Sequence, residues 1–118
     1  IIALLHHKMD YFFWTGFYIL RDSELTVGPY QGPVACQVLN KNTGVCWSSI
    51  NDNEIKVVPD VEKFPGHIAC DSRSRSEIVI PIYDSNNQIW AVLDIDSKEF
   101  NSFNQTDADN LRKIIQLI

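Results

Sequence analysis

The chain has 118 residues, 45% hydrophobic and 21% charged, a composition typical of one globular domain with an ordinary core. Its net charge of -5 argues against a nucleic-acid partner, and no apolar run approaches the length of a bilayer span, so we expect no membrane insertion. The chain opens on Ile1 without an initiator Met or a signal region, so we expect a single domain over residues 1–118 that lacks an N-terminal part.

The N-terminal half predicts one helix followed by a meander of strands. Apolar residues within 1–9 fit the end of an amphipathic helix. The aromatic and β-branched run 11–20 predicts a buried strand, and 24–30 predicts the strand that returns beside it. After a Gly-Pro break, 34–39 predicts a short strand that contains Cys36.

A short helix is predicted next, over residues 45–50, and the C-terminal half then predicts a hairpin. Cys46 falls in the first turn of this helix, where the helix dipole favours a thiolate. Strands 77–83 and 88–96 flank a turn-forming Asp-Ser-Asn-Asn sequence, after a brief strand at 55–58.

The last element is an amphipathic helix that begins near Thr106. The expected fold class is therefore mixed α/β (α+β), with a mostly antiparallel sheet flanked by helices from both chain ends.

The three cysteines, Cys36, Cys46 and Cys70, are an odd number and are spread widely along the chain. This pattern argues against a structural disulfide framework and favours reactive thiols. Buried inert thiols are one alternative. Zinc is another, because His67 would complete a set of four ligands, although the close Cys-x-x-Cys pairs typical of structural zinc sites are missing.

A polar loop over residues 64–77 and the second hairpin strand carry further candidate groups. A long loop inside a compact domain is usually functional, and this one contains Cys70. In the second strand, the period of two places Asp94 and Asp96 on the same face as Trp90 and Val92. Taken alone, the two acids have a solvated edge as the alternative interpretation.

Several short motifs together resemble the free methionine-(R)-sulfoxide reductases, which are single GAF-domain enzymes. They are Trp14-Thr15-Gly16-Phe17-Tyr18, Gly28-Pro29-Tyr30-Gln31-Gly32, Ala35-Cys36, Gly44-Val45-Cys46, Gly66-His67-Ile68-Ala69-Cys70-Asp71, Ser76-Glu77-Ile78-Val79 and Leu93-Asp94-Ile95-Asp96-Ser97. The resemblance covers nearly the whole chain. It implies a GAF-like fold. One departure is Trp47, where the family usually has a small residue.

For the cysteines, the resemblance implies that Cys70 attacks the substrate and that Cys36 then closes a disulfide on it. Cys46 would be a third active-site cysteine, and it remains a second candidate for nucleophile or resolving thiol. A sulfenic acid on the attacking cysteine condenses readily with a nearby thiol, so the chemistry needs at least two cysteines.

For the remaining site residues, the resemblance implies that Glu77, Asp94 and Asp96 bind substrate and supply acid. It implies that Trp14 and Tyr18 line the pocket, although such aromatic residues are, taken alone, more often core residues. Crowded carboxylates repel each other, so one of the three is expected to stay protonated and to donate to the sulfoxide oxygen. His67 is expected only to fix its loop by a hydrogen bond.

The implied activity is reduction of free L-methionine-(R)-sulfoxide to L-methionine, a protection against oxidative stress. No cofactor or metal is implied, since thioredoxin would reduce the disulfide in the cytoplasm. The oligomeric state stays open, with a homodimer as one alternative. A non-catalytic GAF module that binds a small ligand as a sensor is the alternative function.

Overall fold

An antiparallel β-sheet forms the centre of the computed structural model, which describes residues 1–67 and 70–118. Its strands in these residues are β1 (Trp14–Arg21), β2 (Glu24–Gln31), β3 (Val38–Leu39), β4 (Lys56–Val58), β5 (Ser76–Tyr83) and β6 (Ile89–Ser97). They lie in the order β3-β2-β1-β6-β5-β4, and the pairings are antiparallel. The predicted α/β (α+β) class with a mostly antiparallel sheet is confirmed.

Three α-helices accompany the sheet in the described part of the chain: α1 (Ile2–Lys8), α2 (Gly44–Asp52) and α3 (Gln105–Ile115). A single 3-10 turn at Val61–Lys63 precedes the loop that leads to β5. None of the helices in the described residues combines the length and the apolarity that crossing a membrane requires. The predicted helices at both chain ends are present.

The two faces of the sheet bury two separate hydrophobic clusters. On one face, β5 and β6 pack with the terminal helices through residues that include Ile80, Leu93 and Leu111. On the other face, α2 packs through Val45 and Trp47. The alternation predicted for β6 is confirmed, because Ala91, Leu93 and Ile95 belong to the first cluster and Val92 to the second. Asp94 and Asp96 therefore face the α2 side.

Tight turns fix the hairpin registers. Asp22 and Ser23 both have positive φ angles, 51° and 65°, the geometry of a two-residue turn whose twist matches the flanking strands. Between β5 and β6, Asp84 Oδ1 accepts hydrogen bonds from the backbone N–H groups of Asn86 and Gln88, at 2.8 and 3.0 Å. The first turn sets the register of β1 against β2, and the second sets that of β5 against β6, which contributes to the site described below.

The observed elements differ from the predicted ones at several boundaries; β1, for example, begins at Trp14 rather than at residue 11. Helix α3 begins at Gln105, one residue before the predicted Thr106, because Asn104 caps it and forms a capping box with Asp107. Cys36 lies in a loop before β3, not in a strand over 34–39. The carbonyls of Pro33 and Cys36 bind side chains instead of a neighbouring strand: Pro33 O accepts from Trp14 Nε1 at 3.1 Å, and Cys36 O accepts from the Tyr18 hydroxyl at 2.9 Å. Backbone pairing with β2 begins only at Gln37, whose carbonyl accepts from Val27 N–H at 2.9 Å.

Candidate active site

The register of three central strands brings the predicted acids together. Asp96 of β6 lies opposite Trp14 of β1 on one side and opposite Glu77 of β5 on the other. Two residues along the strand, Asp94 lies opposite Gly16. Directly opposed residues point to the same face, so Trp14, Glu77, Asp94 and Asp96 share the face that α2 covers.

The glycine opposite Asp94 provides space for an aromatic stack. A Cβ added to Gly16 would lie 2.6 Å from Cη2 of Trp14, closer than side chains approach. The Trp14 ring stacks between Tyr18 and Tyr30, with centroid distances of 5.7 and 5.2 Å. Any larger residue at position 16 would therefore displace the indole that forms this wall.

A disulfide joins Cys36 to Cys70, with a Cα–Cα distance of 5.6 Å. These are the two cysteines that the family resemblance pairs. Cys36 is half-buried and Cys70 is exposed, so the bond lies at the protein surface. Because both sulfurs are bonded, neither can serve as a thiolate ligand in this state, and the zinc site built on all three cysteines does not apply to the oxidised protein.

The Cys70 loop is fixed by its neighbouring charges. Arg73 donates through Nε and Nη2 to the two carboxylate oxygens of Asp71, at 2.9 and 2.6 Å. The guanidinium also lies over the Phe13 ring, 4.9 Å from its centroid. Ile68 and Ala69, which belong to the predicted loop and to the Gly66–Asp71 motif, lie outside the described residues.

Cys46 is the free cysteine and lies at the third position of α2. Its side chain is buried, with 4% of the residue exposed. Burial raises the pKa of the Cys46 thiol well above its usual range, and the nearby charges of Asp94, Glu77 and Asp96 raise it further. The prediction that the helix dipole favours a thiolate here is wrong, because burial and three carboxylates outweigh it.

The three acids differ in how readily they lose their protons. Burial raises the pKa of Glu77 and of Asp96 well above the usual range, and the charge of Asp94 adds to both. Burial also raises the pKa of Asp94, but hydrogen bonding with Glu77 and Cys46 opposes that rise. Asp94 is therefore the carboxyl group that ionises most readily, and Glu77 and Asp96 are the groups that retain protons.

His67 has a different environment from the one expected. It was predicted to fix its loop by a hydrogen bond, yet its buried Nε2 has no hydrogen-bond partner among the described residues. Burial lowers the pKa of His67, and the Asp94 charge offsets part of that effect. Its place in the Gly66–Asp71 motif was the one sequence signal that could have marked it as a cavity residue.

All eight predicted site residues line one cavity of about 210 Å³. Trp47 does not line it but packs behind it in the α2 cluster, 4% exposed. The predicted residues in the lining are Trp14, Tyr18, Cys36, Cys46, Cys70, Glu77, Asp94 and Asp96, and the residues that they meet there include His67, Asp71 and Thr43.

Replacing Glu77 by glutamine is expected to stabilise the protein at neutral pH. A carboxyl group with a raised pKa holds a proton that the unfolded chain releases above about pH 4.3, so it lowers the free energy of unfolding as the pH rises. Glutamine removes this penalty. We expect a gain of about 0.5–2 kcal/mol near neutral pH that shrinks toward about pH 4, measured by urea unfolding.

The matched control for this substitution is Glu24→Gln, at an exposed position of β2. It should leave the unfolding curve nearly unchanged at both pH values. If Glu77→Gln instead destabilised the protein equally at both, the carboxyl group would be a structural hydrogen-bonding group rather than a strained acid.

The GAF domain family matches this sequence over residues 3–118. A protein of Dictyostelium discoideum, GAF domain-containing protein A, is 49% identical over 119 residues, which cover 100% of this chain and 74% of that protein. The free methionine-R-sulfoxide reductase of Escherichia coli is 43% identical over 113 residues, 96% of this chain and 68% of that enzyme.

Among solved structures, the fRMsr of Staphylococcus aureus is similar over nearly the whole chain. Its reduced form has a TM-score of 0.94 and 42% identity, covering 99% of this chain and 75% of that one. Its complex with substrate has a TM-score of 0.90 and 41% identity, covering 98% of this chain and 74% of that one. The expected GAF fold is thereby confirmed.

Proposed function

Because the chain belongs to the free methionine-R-sulfoxide reductase family of GAF-domain proteins, we propose that it reduces free L-methionine-(R)-sulfoxide to L-methionine. The observation that carries the proposal is the Cys36–Cys70 disulfide at a cavity that a cluster of three acids also lines. A bond between thiols that border a cavity is the expected product state of such a reaction.

Cys70 is the proposed attacking thiol. Its thiolate attacks the electrophilic sulfur of the substrate, the sulfur–oxygen bond is reduced, and the oxygen ends on the enzyme as Cys70 sulfenic acid. Free methionine then leaves. The thiol of Cys36 attacks the sulfenic sulfur, one water is released, and the disulfide forms. Support comes from the bond itself, from which Cys46 is excluded.

Asp96 is the proposed proton donor to the sulfoxide oxygen. A general acid must hold its proton at the working pH, and the raised pKa of Asp96 satisfies that condition. Among the groups that raise this pKa is Asp71, the neighbour of Cys70 in sequence. Asp96 and Cys70 line the same cavity, so both can contact one bound substrate.

Asp94 is the proposed partner of the substrate ammonium. It is the carboxyl group that ionises most readily, and its Oδ1 is buried without a hydrogen-bond partner among the described residues. An ammonium ion would supply both the missing hydrogen bond and the missing charge. The stacked rings of Trp14 and Tyr18 offer an apolar wall to the methyl and methylene groups.

Thioredoxin is the proposed reductant, which places the enzyme in the cytoplasm, where thiols are kept reduced. Exchange requires that an attacking thiolate reach one of the bonded sulfurs. Cys70 is the exposed cysteine of the pair, whereas Cys46 is buried. A disulfide that included Cys46 would be far less accessible to a protein reductant.

The test is consumption of each methionine sulfoxide diastereomer by the protein with dithiothreitol or thioredoxin. We expect loss of the R form and retention of the S form, with methionine appearing in equal amount. Protein alkylated at its cysteines after reduction is the control and should be inactive. If the R form persisted while a known family member consumed it, the chain would be a ligand-binding module instead.

A further inference from the structure

Three ligand atoms of mixed chemistry converge at one wall of the cavity. They are the Sγ atom of Cys46 and one carboxylate oxygen each from Glu77 and Asp94, and all lie within 4.8 Å of one another. The exposed fractions of these residues are 4%, 5% and 5%, so the cluster is shielded from bulk water. Buried carboxyl and thiol groups of this kind either hold their protons or, when ionised, pair with a cation or coordinate a metal ion.

No basic side chain in residues 1–67 and 70–118 forms an ion pair with this cluster. The salt bridges there join Lys56 to Asp52 and Glu54, and Arg73 to Asp71. Asp94 Oδ1 is buried and has no hydrogen-bond partner within the same residues. The cluster therefore presents an unsatisfied acceptor that suits a cation.

We propose that Cys46, Glu77 and Asp94 form a Zn²⁺ site with an open fourth position. Zinc accepts sulfur and oxygen ligands in tetrahedral geometry, at about 2.3 Å and about 2.0–2.2 Å. Those bond lengths place neighbouring ligand atoms roughly 3.4–3.6 Å apart. The three atoms, which lie within 4.8 Å of one another, approach to that spacing when the metal binds.

The fourth position faces the cavity and is left to water or to His67. The imidazole lines the same cavity, and its buried Nε2 has no partner among the described residues. Neutral imidazole nitrogen is a common zinc ligand. When the metal binds, the Cys46 thiol proton and the Glu77 carboxyl proton leave to solvent, and sulfur–zinc and oxygen–zinc bonds replace the S–H and O–H bonds, with no change of oxidation state.

The consequence for activity rests on the proposed function, whereas the metal site does not. Asp94 is the proposed partner of the substrate ammonium, so Zn²⁺ and substrate would compete for the same carboxylate. Zinc gains a thiolate bond that an ammonium ion cannot make. Zinc is therefore expected to inhibit the reduced enzyme competitively with the substrate.

Co²⁺ binding to the oxidised protein tests the site without any assay of turnover. The disulfide blocks Cys36 and Cys70, so Cys46 is the one thiol left. We expect one Co²⁺ per chain, with a thiolate-to-cobalt charge-transfer band and the strong visible bands of tetrahedral coordination. Added Zn²⁺ should abolish both the charge-transfer band and the visible bands. A spectrum without the thiolate band would overturn the proposal.

Variants separate the site from metal binding elsewhere on the surface. Cys46→Ser should remove the charge-transfer band, and Glu77→Gln should weaken Co²⁺ binding by at least about 10-fold. Asp71→Asn is the charge-matched control, since Asp71 lines the cavity but is bound to Arg73, and it should bind Co²⁺ as the parent does. If Asp71→Asn weakened Co²⁺ binding as much as Glu77→Gln does, the loss would reflect the net negative charge of the cavity, and the proposed site would be contradicted.

Discussion

Replacing Cys70 by serine is expected to lower turnover of free methionine-(R)-sulfoxide by at least about 10³-fold, because serine supplies no thiolate and forms no sulfenic acid. The fold should persist, since Cys70 is exposed and lies in a loop. Methionine release in a single-turnover experiment, with circular dichroism as the check of folding, measures the effect. Turnover close to that of the parent would mean that Cys46, and not Cys70, attacks the substrate.

Cys36→Ser is the matched variant, because it removes the other half of the same disulfide. It should still release one methionine per chain in the first turnover, since the attack on the sulfoxide needs Cys70 alone. Later turnovers should stall with thioredoxin, because the sulfenic acid has no neighbouring thiol to condense with. Loss of the first turnover as well would mean that Cys36 acts before the disulfide forms.

The fold was largely predictable from the sequence because its strands carry strong local signals. The sequence of the β5–β6 hairpin contains a turn signal, and its residues alternate between the two faces of the sheet. Both predicted features are present in the structure. The position of Cys36 was not predictable. The loop there is held by hydrogen bonds from Trp14 and Tyr18, which are more than fifteen residues away in sequence.

The electrostatics of the site were predictable only in part. Alternation along β6 placed Asp94 and Asp96 together, and repulsion between crowded acids predicted a retained proton. The environment of Cys46 was misjudged because its helix position is visible in the sequence, whereas the carboxylates that raise its pKa belong to β5 and β6. Long-range burial and charge are properties of the tertiary fold, so local patterns do not contain them.

Asp96→Asn is expected to lower kcat by about 10²–10⁴-fold while KM changes little, because the amide holds the space of a carboxylic acid but cannot donate its proton. Asp94→Asn should instead raise KM roughly 10–100-fold while kcat changes little, because the variant loses a charged hydrogen bond to the ammonium. Steady-state kinetics on both variants measure the two roles separately. Stability should be equal or slightly higher in each, since one member of a repelling cluster is removed.

The pH profile of the parent distinguishes a proton donor from a residue that only shapes the cavity. A donor is active while protonated, so kcat should fall as the pH rises through the raised pKa of Asp96. In Asp96→Asn the residual kcat should lose that decline. Near-normal kcat in Asp96→Asn, or an unchanged alkaline limb, would remove Asp96 from proton transfer and leave Glu77, the other acid whose pKa is well above the usual range, as the donor to test by Glu77→Gln.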